Sequence, residues 1–398
     1  MGGIFEQILP RWGAFFKSKV PVEVKRWQGL ANSFATFPEA PRILILKPDH
    51  LGDFVTALEA LTKIRTAWPK ASITLVCGPW NTGFAQATGL FDHIVAFEFF
   101  PVSHQMRESL VPSLEERIAR FTRLGLQRFD LAVDLRHDSD SRALLLHVAA
   151  TYKAAFSAEE GREGLDLIFP EVESAARSSK RFFPFHAATR LTLLADAVIA
   201  TFKGPESAKV IAALPATSER LPFQPGEDYV VISSASGSAL RRWPIARWGE
   251  LARRLTAAGF KVLFVGGEHE RPQLDQLMSE LPEHATANLA GELPFVKLAP
   301  VLAGAALFVG NDTGVTHLAA YLGVPTLAIY SGVNDPNVWT PRGKRVWVLR
   351  ASASCSPCYH HELKECTRFI PCISEITVSQ VFASAQELLG RSEGSAAG

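Results

Sequence analysis

From about Arg42 onward, short apolar runs alternate with longer stretches in which apolar positions recur every three or four residues. Ile43 to Leu46, Ser72 to Cys77, His93 to Phe97 and Leu131 to Asp134 read as strands of a parallel sheet. Such strands are covered on both faces by helices and so carry near-continuous apolar runs rather than strict alternation. Helices such as Asp53 to Ala67 fill the gaps between them. A second series begins after the Pro-containing stretch Leu214 to Gly226: Tyr229 to Ser233, Lys261 to Gly266, Ala306 to Val309 and Thr326 to Ile329, with helices such as Ile245 to Ala258 between. The pattern predicts an α/β protein with two doubly wound, Rossmann-like domains at 41–213 and 227–375. Strand carboxyl ends of both sheets are expected to face a shared cleft, the usual ligand position in such folds. A C-terminal helix and tail occupy 376–398, fraying from Arg391.

Residues 1–40 stand apart. Ile4, Phe5, Ile8, Leu9, Trp12, Phe15 and Phe16 recur at helical spacing, with Arg11, Lys17, Lys19, Lys25 and Arg26 around and beyond them. An amphipathic, basic, aromatic-rich helix of this kind suits attachment to an anionic membrane surface or a partner subunit, and equally suits packing on its own domain. The 398 residues carry 41 basic and 40 acidic side chains, a formal charge of +1 that argues against a general nucleic-acid binder. Leu298 to Gly310, the longest nearly apolar run, is too short to cross a bilayer and is interrupted by Pro300. With Arg11 cutting the first apolar run and no small-residue cleavage pattern after it, the expected location is cytoplasmic, with reduced cysteines.

Polar residues collect where strands end. The apolar strand ending at Val309 runs into Gly310-Asn311-Asp312-Thr313-Gly314-Val315-Thr316-His317, which opens a short helix closed by Gly323 and Pro325. A helix opening presents unpaired backbone N–H groups and a positive dipole end, an outline that fits phosphate. Asp312 or Thr313 serves as N-cap in this reading, and Gly314 lets a ligand approach the backbone. In the same half, Ser233-Ser234-Ala235-Ser236-Gly237-Ser238 precedes Arg241-Arg242-Trp243-Pro244, and hydroxyls with a guanidinium suit a diphosphate. Glu270, at the end of Gly266-Gly267-Glu268-His269-Glu270, can accept both hydroxyls of a ribose. In the first half, Lys47-Pro48-Asp49-His50-Leu51-Gly52-Asp53 ends a strand and starts a helix. Asp53 is there either a plain helix cap or a carboxylate placed to take a proton from a hydroxyl.

The succession K-P-D-x-x-G-D, a small-residue loop before R-R-W-P, G-G-x-x-E, N-D-T-G-x-x-H-L-A-A-x-L-G-x-P and S-G-V-N-D-P closely resembles glycosyltransferase family 9, the bacterial heptosyltransferases that use ADP-heptose. The resemblance implies a GT-B fold and inversion at the anomeric carbon, with the nucleotide-sugar held mainly by the C-terminal domain. It implies Asp53 as catalytic base, with Arg241 where the family usually has a phosphate-contacting Lys. It further implies Glu270 on the ribose, and Asp312, Thr313 and Gly314 around sugar and diphosphate, with His317 one turn later on the same helix face. Ser234 and Ser236 join this donor set. No catalytic metal is required. The expected donor is an ADP-sugar, and the acceptor a hydroxyl of lipopolysaccharide, another glycan or a protein. Lys47, Arg136, His137 and Arg142 are the candidates for acceptor contacts, and peripheral attachment to the inner face of the inner membrane is the matching location.

Cys355, Cys358, Cys366 and Cys372 cluster near the end, with His360 and His361 among them. In a reduced compartment, a C-x-x-C knuckle closed by two further cysteines points to a structural Zn or Fe site, four plain thiols in a loop being the alternative. Some members of the resembled family carry such a finger, including ones that modify proteins, and the familiar lipopolysaccharide enzymes often lack it. An acceptor surface or a subunit contact, including self-association into a homo-oligomer, is the role it suggests. Cys77 reads as a small buried hydrophobe. A non-catalytic sugar-nucleotide-binding scaffold with a metal finger is the competing reading, and a nucleotide-sugar epimerase a third.

Overall fold

A computed structural model describes residues 37–100, 112–137, 139–157, 164–170, 186–203, 228–293, 295–360, 362–368 and 370–390. The expected amphipathic helix of the first residues, Asp138, His361 and the tail from Arg391 lie outside the described residues. The chain forms two compact units, one comprising Met1–His50 and Thr56–Pro215, the other Leu51–Val55 and Ala216–Gly398.

In the first unit, β1 (Arg42–Lys47), β2 (Ser72–Cys77), β3 (His93–Ala96), β4 (Phe129–Asp134), β5 (Ala150–Ser157) and β6 (Leu167–Pro170) form one sheet in the order β3-β2-β1-β4-β5-β6. Every pairing is parallel, with Ile43 of β1 opposite both Ile73 of β2 and Leu131 of β4. Helix α1 (Leu51–Ala67) buries Phe54, Leu58, Leu61 and Ile64, the spacing of one helical face. It stops at Trp68, because the residue before Pro69 is forced out of helical geometry and sits at φ −126°, ψ 73°.

The second unit repeats the plan. Strands β7 (Tyr229–Ser233), β8 (Lys261–Phe264), β9 (Thr286–Asn288), β10 (Leu307–Asn311), β11 (Thr326–Ile329) and β12 (Val346–Leu349) are ordered β12-β11-β10-β7-β8-β9, again all parallel. The helices packed around this sheet include α2 (Ile245–Ala257), α3 (Gly314–Tyr321) and α4 (Val378–Leu388). Trp243 and Trp248 meet edge to face at 4.9 Å in the core, and the Trp243 indole donates to the Ile376 carbonyl. Arg247 donates to the Ser374 and Ile376 carbonyls, and Val381, Ala385 and Leu388 of α4 complete the same core. The last helix is thereby part of the second unit's interior.

In both sheets the strand order reverses beside the first strand, between β1 and β4 and between β7 and β10. Ligand sites of doubly wound sheets lie at the carboxyl ends of such a pair. All eight expected strands are present, β3 and β8 ending a residue or two earlier than expected. Four further strands, β5, β6, β9 and β12, were not expected from the pattern; β12 is at most half-buried along its length and β9 is three residues long. Among the described residues no helix is long and apolar enough to cross a membrane.

Candidate active site

At the β7/β10 switch point of the second unit, Asn311 is the organiser. Fully buried at the end of β10, it donates from Nδ2 to the Ser234 carbonyl at 2.7 Å and the Ala235 carbonyl at 3.2 Å. Its Oδ1 accepts from the Trp243 amide at 3.2 Å. One side chain thus staples the serine loop and the R-R-W-P segment to the strand end. Ser236 is buried, and its carbonyl accepts from Arg242 Nε at 2.9 Å. Ser238 caps the short turn that carries Arg241, accepting from the Leu240 amide.

Asp312 is the next residue, with only 5% of its surface exposed. Its Oδ2 accepts from Asn334 Nδ2 at 2.7 Å and faces Arg241 Nη1 at 3.5 Å. The short bond to Asn334 is the firm one; the longer contact leaves the half-buried Arg241 guanidinium able to turn to an incoming anion. Thr313 is the N-cap of α3, as one of the two expected choices, yet its hydroxyl takes no backbone amide of the helix; it meets the Thr316 hydroxyl at 3.3 Å instead. The opening of α3 therefore keeps amide hydrogens that no cap side chain takes. His317 is buried on the same helix, and burial holds its imidazole below the usual histidine value, aided by Arg241 and opposed by Asp312. Burial and then the Asp312 charge push the Tyr330 phenol well above its ordinary range.

Leu51–Val55, the first turn of α1, groups with this second unit. A Cβ on Gly314 would meet the Gly52 amide nitrogen at 2.7 Å, and one on Gly52 would lie 3.2 Å from the Gly314 Cα, so this close backbone approach depends on glycine at 314 and is tight at 52. Asp53 is the third residue of α1, and His50 is the N-cap. Asp53 is thus not the capping residue but an acidic residue of the first turn.

Glu270 closes a turn of its own: its Oε2 accepts from the Gly267 amide at 2.8 Å. Gly266 makes room, since a Cβ there would lie 2.5 Å from that oxygen. This bond fixes the carboxylate beside β8.

The first unit's switch point holds a buried charge network. Lys47 at the end of β1 donates to the Leu135 carbonyl at 2.9 Å and pairs with Asp49 at 2.8 Å. Arg136 bonds the other Asp49 oxygen, pairs with Asp140 through Nε at 2.6 Å, and lays its guanidinium over the Phe100 ring at 4.6 Å. Arg142 Nη1 donates to Asp134 at 2.7 Å, while its buried Nε and Nη2 have no hydrogen-bond partner among the described residues. Burial alone would raise the Asp49 carboxyl, but Lys47 and Arg136 outweigh it and hold it below the usual carboxylate value. Asp134 goes the other way: burial wins over Arg142 and raises it. His137 lies beside the Phe156 ring, its imidazole held far down by burial and then by Arg190, Lys47 and Arg136. The structure gathers all four acceptor candidates here, with three of the four paired to internal carboxylates.

Cys355, Cys358, Cys366 and Cys372 line one pocket with His360, Leu240 and Val333. Among the described residues, no group of three or more His, Cys, Asp or Glu side chains is arranged so as to hold a metal ion. All five cysteines are free thiols, and burial pushes the Cys77 thiol up to about 12, as befits an inert buried group. The roles of Asn311 and Asn334 are not visible in the sequence, although both stand within the motifs that carry the family resemblance; an amide within a polar run gives no hint of which backbone or carboxylate it ties.

Two doubly wound parallel sheets, each with a polar switch point, define a two-unit α/β protein of the GT-B fold. The family model for glycosyltransferase family 9 (heptosyltransferase) matches residues 117–367, and the chain belongs to this family and is a glycosyltransferase. It is 30% identical over 336 residues to lipopolysaccharide heptosyltransferase 1 of Pseudomonas aeruginosa, a match that covers 82% of this chain and 87% of that protein. In fold it is similar to E. coli heptosyltransferase WaaC with ADP (TM-score 0.63, 22% identity, 87% of this chain and 99% of that one). It is similar also to the dodecameric iron-containing heptosyltransferase TibC in complex with ADP-D-β-D-heptose (TM-score 0.53, 14% identity, 88% and 77%).

Proposed function

We propose that this enzyme moves a heptose, or a closely related sugar, from an ADP-sugar to an acceptor hydroxyl of lipopolysaccharide, another glycan or a protein, with inversion at the anomeric carbon. The observation that carries the reading is Asp312 set between Arg241 and the uncapped opening of α3, at the switch point of the second sheet. The P. aeruginosa relative's name supports heptose and lipopolysaccharide, and the ADP compounds bound to WaaC and TibC support the donor.

In this scheme the acceptor oxygen forms a bond to the anomeric carbon as the bond from that carbon to the diphosphate oxygen breaks on the opposite face. Asp53 takes the hydroxyl proton, and ADP leaves with the bonding electron pair. Arg241 and the amides of Thr313 and Gly314 meet the charge growing on the diphosphate. Glu270 holds the ribose, and Ser234, Ser236 and His317 complete the donor wall. Lys47, Arg136 and Arg142 act on the acceptor by bracing the β1/β4 loops, with His137 among them. Asp53→Ala is expected to abolish transfer while ADP binds as before, measured by a sugar-transfer assay beside titration calorimetry. Near-normal turnover would sink the role of Asp53. Arg241→Ala is expected to weaken donor binding and turnover together, and unchanged kinetics would reject that assignment.

The cysteine finger is proposed to hold a structural Zn or Fe ion through Cys355, Cys358, Cys366 and Cys372, a sulfur-only donor set around one pocket that either metal accepts. Bound there, the ion would cross-link the finger and take no part in sugar transfer. Elemental analysis of the purified protein is expected to find one of these metals at unit stoichiometry, and chelation to lower the melting temperature. A metal-free preparation with full stability and activity would defeat the proposal.

A further inference from the structure

The loop after β11 links two features that the transfer scheme leaves separate. Its Asn334 donates to Asp312 at 2.7 Å, a shorter contact than the 3.5 Å between Arg241 and the same carboxylate. Two residues of the finger grip the same loop: the Cys358 amide donates to the Gly332 carbonyl at 3.0 Å and the Tyr359 amide to the Val333 carbonyl at 2.9 Å. Gly332 itself is packed against the finger, since a Cβ there would lie 3.0 Å from the Ser356 Cβ and 3.1 Å from the Cys372 Cβ. Tyr359 adopts φ 53°, a left-handed conformation that a bulky side chain takes only where its surroundings impose it. Val333 and Leu240, which neighbour Asn334 and Arg241 in sequence, line the thiol pocket.

A carboxylate facing a diphosphate is a poor neighbour unless its direction is fixed. Asn334 supplies a neutral N–H₂ donor, so it can orient Asp312 without cancelling its charge or competing with the ligand for Arg241. The loop that carries Asn334 has no regular hydrogen-bond ladder at this point; its two carbonyl contacts with the finger hold it in register.

We propose that Asn334 is the positioning residue for Asp312 in the donor site, and that the cysteine finger serves the reaction by clamping the loop that carries it. The inference deepens the donor-site reading and rests on it. The finger then acts on donor affinity, whatever it also does at the surface.

The test measures ADP-heptose binding by calorimetry and steady-state kinetics in Asn334→Ala, Asp312→Ala, the double variant, Asn334→Gln and Gly332→Ala. Asn334→Ala is expected to raise the donor Kd and KM about tenfold, the scale of one lost charge-assisted hydrogen bond, with kcat and the acceptor KM little changed. Asn334→Gln, which keeps the donor group, is expected to recover part of the affinity. In the Asp312→Ala background, Asn334→Ala is expected to add nothing. Gly332→Ala, which removes no contact to Asp312 and only pushes the finger and loop apart, is expected to weaken the donor in the same direction. Should Asn334→Ala not fold, the near-isosteric Asn334→Asp carries the test, because it sets carboxylate against carboxylate and must weaken donor binding at least as much. Normal donor binding in Asn334→Ala or Asn334→Asp beside a clear loss in Asp312→Ala overturns the positioning role alone. Unchanged binding in Gly332→Ala overturns the clamp. Normal binding in Asp312→Ala instead refutes the donor-site reading, and this inference goes with it.

Discussion

Asp49 is nearly sealed from water between Lys47 and Arg136, two cations that lie far apart in the sequence. Removing the carboxylate would leave Lys47 buried without its counter-ion and Arg136 paired with Asp140 but no longer with Asp49, so Asp49→Ala is expected to cost about 3–5 kcal/mol of stability, read as a lower denaturant midpoint. Its contribution is present above the ordinary carboxylate value of 3.8 and is lost as the pH falls through the lowered folded value. His317 gives a second, separate dependence. Its folded value lies below 6.5, so in the window between the two the unfolded chain binds a proton that the native chain refuses. Stability is then full above about 6.5 and declines as the pH drops towards the folded value. Melting curves of His317→Gln are expected to show a shallower decline over that window than the unaltered protein. Little of this was legible beforehand. The sequence displays Lys47 and Asp49 side by side, but Arg136 stands 87 positions from Asp49, and only the pairing of β1 with β4 brings it there. Asp53, Arg241, Asp312 and Gly314 could be picked out as candidates because each lies in the polar segment that follows a strand end, and the structure does bring Arg241 and Asp312 together across 71 positions.

At the scale of elements, the central strands announced themselves, and of the four sheet edges only β3 did. β1, β2, β7 and β10 are buried along nearly their whole length and read as unbroken apolar runs. β12 is only half-covered, and β5 mixes Thr, Tyr and Lys with alanines, so neither shows the doubly buried signature. In the proposed scheme the helix starts carry the chemistry. Because the α3 opening lies against the Gly52 backbone, Gly314→Ala is expected to cost about 1–3 kcal/mol by overpacking and to weaken ADP-heptose binding; calorimetry and a denaturant midpoint check both. The final helix is an element of the core rather than an appendage. Leu388→Ala is accordingly expected to destabilise the protein by about 2–5 kcal/mol, a loss that an exposed terminal helix would not show in its unfolding curve.

For the whole molecule, near-neutral overall charge means that any affinity for a surface must be local, and the basic, aromatic residues of the first 40 positions are its candidate source. A variant lacking residues 1–36 is expected to lose binding to anionic phosphatidylglycerol vesicles in a flotation assay while transferring sugar to a soluble acceptor as before. Vesicle binding that survives the deletion would place the contact elsewhere. The repeated strand order has a further consequence, in time rather than space. In each sheet the first strand must wait for the fourth: Ile43 finds Leu131, and Val230 finds Leu307, only after a long intervening segment has been made. Contacts of such wide separation make for slow folding. On the ribosome the earlier sheet can close while the later one is still being synthesised. The later core stays open until Val381, Ala385 and Leu388 have emerged. The second unit is therefore the one that is born exposed, and a chain cut before Val381 is expected to be cleared as unfolded rather than released as a weaker enzyme.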